Sequence, residues 1–522
     1  MYIEPNTNIK LLRYCPFDNT YTHTIYFESK TAQTNYFSGL AKYSLTSYSY
    51  QRVNNNTMRV QYKAEDLYDC NYMMFQNASF GNKWFYAFIN SVNYINNITS
   101  EITYEIDVMQ TWLFDYVLHD CFVDREHSYI DDIGGNTVPE DVELGDYVSD
   151  DFDGTQKMGQ KSIVVAATFN EKYEDIGGNM YSGLFSGLYY NVFPNTLEGA
   201  TACAEFIRNA GSKTDGIVCV FLMPTNFITS TGEQPKTFDI TKDKNNIMLR
   251  ADGREVKNKK LLTYPYNFLY VTNLQGNHGI FHYEYFANDT CDFILAGDMS
   301  PNSSFMLVPK NYKGVVVNYD EKMVLSGFPQ LSYNTDSFKA WLAQSASSLF
   351  MTSAVSPAAN SYIAQERLSM LSNQATAALG AKVTAIGAGL QCAQAIGNMV
   401  QHFFMPDQAR GGQGSQTLAA LGLLDFAFMH KHIRPEFVSI IDDYFNMYGY
   451  ATKRVKKPNR NARPHWTYTR TIGCDIHGGI PNDDARRICD IYDNGITFWK
   501  NGNEIGDYSL DNSPVAITQG DE

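Results

Sequence analysis

The stretch Glu-Ile-Thr-Tyr-Glu-Ile-Asp-Val at residues 101–108 decides the fold of the region around it. Its apolar side chains fall on every even position and its polar ones on every odd position, a period of two that is typical of a β-strand with one buried face. A second apolar run lies at 84–89, and Asn96 and Asn97 are suited to a turn between the two runs. The pattern predicts a long β-hairpin.

Strand-like sequence continues beyond this hairpin. From residue 131 the composition becomes rich in Gly, Asp and Asn, and apolar β-type runs occur at 163–165 and 218–222. A third β-rich stretch covers 261–333, with an Asp252-Gly253 turn just before it. Together these runs predict a mainly β fold of the β-rich α+β type.

Two segments near the C-terminus have helical spacing instead. Apolar residues recur at helical intervals over 437–447, and residues 481–493 favour a short helix. Asn482 or Asp483 is the expected N-cap of the second helix, because short polar side chains accept hydrogen bonds from the first free N–H groups.

The segment between Trp341 and Leu424, called the charge-poor segment below, contains only five charged residues, whereas 19% of the residues in the whole sequence are charged. The centre of this segment, Val383–Met405, carries no formally charged side chain. At about 1.5 Å per residue, a helix of that length could cross a hydrocarbon layer of roughly 30 Å.

Three kinds of side chain recur on separate sides of such a helix. Small residues suited to close helix contacts are Ala377, Ala381, Ala385, Gly389, Ala393 and Gly397. Apolar residues suited to lipid are Ile386, Leu390, Ile396, Met399, Val400, Phe403 and Phe404. Amides suited to a water-filled lumen shared by several copies are Gln391, Gln394, Asn398 and Gln401. The pattern predicts a membrane-inserting segment.

The same composition leaves two other interpretations open. Stretches rich in Ala, Gly and Ser with amide side chains also occur as buried helical hairpins and as linkers. The Ser/Ala-rich flank Ser345–Ser361 and the Gly-rich run Ala409–Ser415 favour an apolar element tethered at both ends.

The formal net charge of −15 disfavours a sequence-reading nucleic-acid binder, because neutralising phosphates requires a cationic surface. It does not exclude a passage for DNA. An acidic wall repels the polymer and prevents it from sticking, so a conduit and a binding groove have opposite charge requirements.

Nine scattered cysteines, an odd number without close pairs, predict free thiols made in a reducing cytosol. The N-terminal residues Met1–Pro5 begin no basic-then-apolar signal. We therefore expect neither the usual secretory route nor a cotranslational membrane anchor.

No catalytic group, metal site or cofactor site is predicted. The run Cys474-Asp475-Ile476-His477 and the pair His430 and His432 are the best metal candidates, but further ligands at workable spacing are missing. The run Asp243–Asn246 lacks the Gly and the later Glu of a calcium loop. We expect no enzymatic activity and no cofactor.

Longer strings spread over the chain carry a resemblance to a known family. They are Met74–Asn77, Gly81–Phe88, Glu105–Val108, Gln110–Trp112, Arg125–His127, Tyr264–Tyr266, Gly276–His278, Tyr448–Tyr450, Arg454–Asn459 and Asp493–Trp499. In this order they resemble the tail-knob, or distal tail tube, proteins of phi29-like short-tailed bacteriophages of the podovirus or picovirus type. Over 131–260 the match is not convincing.

The resemblance implies a homo-hexameric tube of β-barrel-like domains with an inserted outer knob and a long apolar, partly helical loop. In this family the loop plugs the tube and then inserts into the host membrane to form a pore for DNA ejection. Carried onto this chain, the resemblance gives an N-terminal tube domain 1–130, an outer knob domain 131–260, a second tube domain 261–342, a membrane-active loop 343–424 and a C-terminal segment 425–522 that completes the tube.

The partners implied are the upstream tail or lower collar protein, the host cell membrane and passing double-stranded DNA that is not bound by sequence. The location implied is the distal end of the virion tail, after synthesis in the host bacterial cytoplasm. A basic cluster could contact DNA or an acidic neighbour, with a solvated loop as the alternative; its members are Lys453, Arg454, Lys456, Lys457, Arg460 and Arg463.

Two other functions stay open. The first is a receptor-binding tail protein that recognises a cell-surface glycan through 131–260. The second is a tail-borne cell-wall hydrolase.

Overall fold

The structure is a computed structural model that describes residues 6–48, 56–153, 161–174, 180–181, 184–185, 188–194, 197–224, 227, 237–273, 276–297, 304–325, 330–332, 409–410 and 425–514. Strands dominate the regular structure within them, so the predicted mainly β fold is confirmed.

The chain divides into two compact units. Unit 1 comprises Met1–Glu143, Leu249–Leu261 and Pro435–Glu522, and unit 2 comprises Leu144–Met248 and Leu262–Arg434. The boundaries predicted at 131 and 260 both fall within unit 1, because short segments on either side of the 144–248 stretch pack there. The functional identities predicted for the five regions remain predictions.

The N-terminal part supplies eleven elements of unit 1. They are β1 (Thr7–Arg13), β2 (His23–Ile25), α1 (Lys30–Gly39), β3 (Ala41–Tyr48), β4 (Thr57–Val60), β5 (Cys70–Gln76), β6 (Phe85–Asn96), β7 (Thr99–Ile106), α2 (Val108–Trp112), β8 (Tyr116–Leu118) and β9 (Cys121–Glu126).

The middle part forms unit 2. Its elements are β10 (Tyr147–Asp153), β11 (Lys161–Ala167), β12 (Met180–Tyr181), β13 (Leu184–Phe185), β14 (Tyr189–Pro194), α3 (Leu197–Asn209), β15 (Ile217–Pro224), β16 (Thr237–Asp243), β17 (Asn267–Thr272), β18 (His278–Phe281), β19 (Thr290–Gly297), β20 (Phe305–Tyr312), β21 (Val315–Val317), β22 (Met323–Leu325), β23 (Gln330–Ser332), β24 (Ala409–Arg410) and β25 (Ala427–Ile433).

The C-terminal part completes unit 1. It contains α4 (Pro435–Tyr448), β26 (Tyr450–Lys456), β27 (Trp466–Ile472), β28 (Ile476–Gly478), α5 (Asn482–Asn494) and β29 (Ile496–Trp499).

The predicted hairpin is confirmed as β6 and β7, which pair antiparallel with Ala87 opposite Ile106. Ile102, Tyr104 and Ile106 are buried, and the residues between them in β7 are partly exposed, as the alternation predicts. Val108 is also buried, but it begins α2 instead of continuing the strand.

Two larger sheets and one aromatic-rich core build unit 1. The first sheet has the order β3-β1-β5-β6-β7-β4, and the second has the order β2-β29-β27-β9-β26. Phe37 of α1 stacks on Tyr72 of β5 with ring centroids 5.3 Å apart, and Tyr72 meets Phe88 of β6 edge to face at 5.1 Å. Such contacts stabilise a core beyond the area that they bury.

Unit 2 contains three larger antiparallel sheets around one core. Their orders are β10-β25-β17-β18, β14-β11-β15-β23-β24 and β16-β19-β20-β21, with β22 also paired to β20. Phe293 lies at the centre of the core, with ring centroids 5.1 Å from Phe281, 5.7 Å from Phe286 and 5.5 Å from Phe428. Strands from separate sheets therefore share one apolar interior.

The two predicted C-terminal helices are confirmed as α4 and α5, but the predicted cap of α5 is wrong. Pro481 occupies the N-cap position, and no side chain caps the helix there. Asn482 begins the helix, Asp483 lies in its first turn, and Asp484 accepts a hydrogen bond from Trp112 Nε1 at 2.9 Å. The fixed φ of proline favours this helix start without a side-chain cap.

The cysteines within the described residues are all free thiols, as predicted from their number and spacing. Six are buried and two, Cys474 and Cys489, are partly exposed. Cys392 lies outside the described residues.

Candidate functional site at the edge of a five-stranded sheet

The chain leaves and re-enters the described structure of unit 2 on two neighbouring strands. β23 and β24 pair antiparallel, with Gln330 opposite Arg410 and Leu331 opposite Ala409. Paired strands lie about 4.8 Å apart. The ends of the 333–408 interval, which contains most of the charge-poor segment, are therefore held side by side.

A buried sheet supports this strand pair. β15 pairs with β23 on one side and with β11 on the other. Each residue of Ile163–Ala167 in β11 is at most 3% exposed, and Phe206 and Ile207 of α3 belong to the same core. Because both faces of β11 are covered, the sheet is well packed and holds β23 and β24, the two ends of the 333–408 interval, in place.

The chain is anchored again just after the 411–424 interval. Asp425, Phe426 and Ala427 are fully buried, and Phe426 N donates a hydrogen bond to Asp425 Oδ1 at 2.8 Å. β25 then runs between β10 and β17 in the four-stranded sheet. Three points of unit 2, namely β23, β24 and β25, thus bracket the charge-poor segment.

The predicted segment itself lies outside the described residues. This holds for the membrane-insertion residues Ala377, Ala381, Ala385, Ile386, Gly389, Leu390, Ala393, Ile396, Gly397, Met399, Val400, Phe403 and Phe404, and for the lumen residues Gln391, Gln394, Asn398 and Gln401. Among the helices that the structure describes, none is both long enough and apolar enough to cross a membrane.

The basic cluster at 453–463 does not form one cationic surface. Lys453, Arg454 and Lys457 are exposed, whereas Arg463 is buried and Arg460 lies over the ring of Tyr116. Lys456 forms an ion pair with Glu126 at 2.5 Å. The cluster was predicted from closeness in sequence, but β26 and the connection after it turn successive cations to different sides.

His119 lies next to the first metal candidate, the run Cys474–His477. His119 Nδ1 lies 3.5 Å from Asp475 Oδ2, and the rings of His119 and His477 are 6.0 Å apart. No group of three or more His, Cys, Asp or Glu is arranged to hold a metal ion within the described ranges. In the second candidate, His430 Nδ1 is hydrogen-bonded to the Tyr283 hydroxyl and His432 Nδ1 donates to Ile433 O at 2.7 Å.

Sequence patterns missed a buried polar network in unit 1. The fully buried side chain of Glu140 forms ion pairs with Arg125 and Lys260 and accepts a hydrogen bond from Ala451 N at 2.8 Å. Burial lowers the pKa of the Lys260 ammonium, and the neighbouring Glu140 opposes this effect. The network fixes 131–143 and 249–261, two segments next to connections into unit 2.

Asp107 is a second buried charge site that sequence reasoning did not single out. Its carboxylate accepts hydrogen bonds from the Tyr72 hydroxyl at 2.7 Å and from Gln110 N at 3.0 Å. Burial raises its pKa to about 6, although both hydrogen bonds act to lower it. Its only sequence signal was the position just before α2, which suits an N-cap.

Two family models match different parts of the chain. The family described as "Bacillus phage phi29, Tail knob protein gp9, C-terminal domain" matches residues 226–513, more than half of the chain. The family described as "Caudoviral major tail protein N-terminus" matches residues 5–117.

Individual proteins match over nearly the full length. The tail knob protein gp9 of Bacillus phage PZA is 27% identical, and the match covers 97% of this chain and 98% of the relative. The tail knob protein gp9 of Bacillus phage phi29 is 26% identical with the same coverage. The solved structure of the bacteriophage C1 tail knob protein, gp12, has a similar fold, with a TM-score of 0.64, 14% identity and coverage of 97% of this chain and 99% of that one.

Proposed function

The chain belongs to the family of the phi29 tail knob protein gp9 and is a structural protein of a phage tail, and we propose that as a homo-hexamer it forms the conduit for DNA ejection at the tail tip. In this proposal the 343–424 segment plugs the conduit and then inserts into the host membrane to form a pore. The observation that carries the proposal is the strand pair β23–β24, which holds the two ends of the 333–408 interval, and with it most of the charge-poor segment, side by side.

Because the segment is apolar, the proposal requires an apolar environment for it both before and after DNA ejection. Exposed apolar area costs about 25 cal/mol per Å², so in water the segment is stable only when it packs within a closed space. Copies of the same segment inside a tube would provide that space before ejection. A lipid bilayer would provide it afterwards, with the amide side of each helix facing a shared lumen.

The attachment at β23 and β24 allows this exchange without unfolding of unit 2. Both strands belong to a sheet whose inner strand β11 is covered on both faces. A change of environment within 333–408 can therefore leave the sheet intact, since the two ends keep their backbone hydrogen bonds.

The acidic balance of the chain suits the passage of DNA. A net charge of −15 per copy would give a tube a repulsive field that keeps DNA from binding to its wall. The proposed partners are therefore further copies of this chain, the upstream tail or lower collar protein and the host membrane, with DNA as a passenger. We assign no enzymatic activity.

Two measurements test this function. Mass photometry of the purified protein should give six times 59.0 kDa, about 354 kDa. Particles that carry a deletion of 343–408, which keeps β24, should assemble and adsorb but fail to deliver DNA, while deletion of the C-terminal 515–522 serves as a control that still delivers it. Undiminished delivery by the first variant would contradict the role of the segment.

A further inference from the structure

Three cysteines that are distant in sequence meet in one corner of unit 1. Cys121 begins β9, Cys474 lies between β27 and β28, and Cys489 lies in α5. The side chain of Cys474 lies near those of Cys489 and Cys121, and the neighbours affect one another's pKa. The fold therefore brings the three cysteines close together, although the sequence shows no close cysteine pair.

One carboxylate fixes this arrangement. Asp493 of α5 accepts hydrogen bonds from Thr471 Oγ1 at 2.6 Å, from Gly473 N at 3.1 Å and from Cys474 N at 3.0 Å. Cys489 precedes Asp493 by four residues and lies on the same side of the helix. The helix side that presents the Cys489 thiol thus also holds the backbone of Cys474.

The three thiols differ in access to solvent. Cys121 is buried, whereas Cys474 and Cys489 are partly exposed, so a small reagent can reach the latter two. We propose that Cys474 and Cys489 are a thiol–disulfide exchange site, which low-molecular-weight disulfides such as glutathione disulfide oxidise to an intramolecular cystine. This proposal does not depend on the conduit function.

The reaction balances in two exchange steps. The thiolate of Cys489 attacks one sulfur of the reagent, the reagent S–S bond breaks, and one small thiol leaves after taking a proton. The thiolate of Cys474 then attacks Cys489 Sγ in the mixed disulfide and releases a second small thiol. Two protein thiols are oxidised, and one reagent disulfide is reduced to two thiols.

The environment assigns Cys489 as the first nucleophile. Burial raises the pKa of both thiols, but the neighbouring Cys474 side chain acts to lower the pKa of Cys489. Since the thiolate is the reactive form, exchange is slow at neutral pH and accelerates as the pH rises. The thiols stay reduced in a cytosol and are oxidised after the protein, as a virion component, leaves the cell.

The bond would tie the β27–β28 connection to α5. β28 pairs with β8, so the cross-link also restrains the corner that contains β8. Closing the intervening 475–488 loop removes entropy from the unfolded chain. The oxidised protein should therefore melt at a higher temperature than the reduced protein.

Peptide mapping of the full-length protein tests the proposal. Reduced protein is incubated with glutathione disulfide at about pH 8.5, remaining thiols are alkylated, and the digest is examined by mass spectrometry without reduction. We expect a Cys474–Cys489 cross-linked peptide and the loss of two alkylatable thiols. A predominant Cys121–Cys474 cross-link, glutathione adducts alone or unreacted thiols would each overturn the assignment.

Variants give an independent measurement. Cys121→Ser should still form the cross-link and show the rise in melting temperature on oxidation. Cys489→Ser should show no rise, and if it fails to fold, the peptide map of the unsubstituted protein decides alone. A rise in Cys489→Ser equal to that of the unsubstituted protein would contradict the proposal.

Discussion

Arg250 Nη1 donates a hydrogen bond to Asp442 Oδ2 at 2.6 Å, and this buried ion pair joins two segments of unit 1 that are 192 residues apart in sequence. The Asp442 carboxylate also accepts hydrogen bonds from Lys257 N at 3.1 Å and from Asn258 N at 3.0 Å. One fully buried carboxylate thus fastens 249–261 to α4.

Removal of this carboxylate should destabilise unit 1. In Asp442→Ala the Arg250 cation loses its buried partner, and the free energy of unfolding should fall by about 3–5 kcal/mol. Chemical unfolding followed by tryptophan fluorescence measures this, because Trp84, Trp112, Trp466 and Trp499, four of the five tryptophans, belong to unit 1.

Asp443→Ala is the matched control for this prediction. Asp443 also contacts Arg250, but 58% of its side chain is exposed, so its loss should cost less than about 1 kcal/mol. Equal losses of unfolding free energy in the two variants would show that burial of the carboxylate does not determine its contribution to stability.

The stability of unit 1 should fall as the pH rises from about 4 to about 6. The pKa of Asp107 is about 6 in the folded protein against 3.8 as its ordinary value, so only the folded state holds this proton in that window. Linkage gives a contribution of about 3 kcal/mol that is present below the window and lost above it. Unfolding measured across these pH values should show this slope.

Asp107→Asn should remove that part of the slope, because an amide does not titrate there and still accepts from Gln110 N. The exposed Asp490→Asn variant serves as the control and should retain it. An unchanged slope in Asp107→Asn would mean that another group holds the proton.

Two glycines with the same backbone conformation should respond differently to alanine. Gly449 has φ +64°, and a Cβ there would lie 2.2 Å from Glu126 O. Gly81 has φ +65° with open space around the position of a Cβ. Gly81→Ala should cost about 1–2 kcal/mol from backbone strain alone, and Gly449→Ala at least about 3 kcal/mol because of the added clash.

Denaturant midpoints of the two glycine variants measure this difference. Similar losses would mean that the backbone of 126–127 shifts freely to admit the new methyl group, contrary to the tight approach in the structure.

A cross-link between β23 and β24 should form and leave the proposed membrane activity intact. Gln330 and Arg410 are direct partners, and the Cα separation of such partners, about 4.5–5.5 Å, suits a disulfide. The double variant Gln330→Cys with Arg410→Cys should oxidise to a cross-link in a peptide map. The protein should still release dye from liposomes, because only the attached ends are locked.

Ser332→Cys with Arg410→Cys is the control, since these positions are offset by two residues along the ladder and should not cross-link. Efficient cross-linking of this offset pair would contradict the strand register in which Gln330 lies opposite Arg410. Loss of dye release on oxidation of the direct pair would contradict the view that the ends stay paired.

Local patterns predicted the local structure. The alternation around Ile102 and Tyr104 identifies β7, because a period of two is a property of neighbouring residues alone. The spacing over 437–447 identifies α4 in the same way. The resemblance to tail-knob proteins, carried by strings over the whole chain, identified the family.

Contacts between residues that are distant in sequence, and one very short strand, were not predicted from the sequence. Asp442 pairs with Arg250, 192 residues away, and Glu140 pairs with Lys260, 120 residues away, and charged residues leave no periodic trace of such pairing. β24 has two residues and begins a Gly-rich run that favours a loop. The proximity of Cys474 and Cys489 depends on how α5 docks on β27, which spacing along the chain does not show.

The central claim is that the charge-poor segment enters lipid with its apolar side outward and its amide side on a lumen. The most direct measurement is dye release from liposomes by the assembled protein with a single new carboxylate on either side. Val400→Asp should reduce release by at least about tenfold, because a charge in the bilayer centre costs about 3 kcal/mol, whereas Gln394→Glu should release dye as the unsubstituted protein does. Full release by Val400→Asp, or equal loss in both variants, would contradict the account.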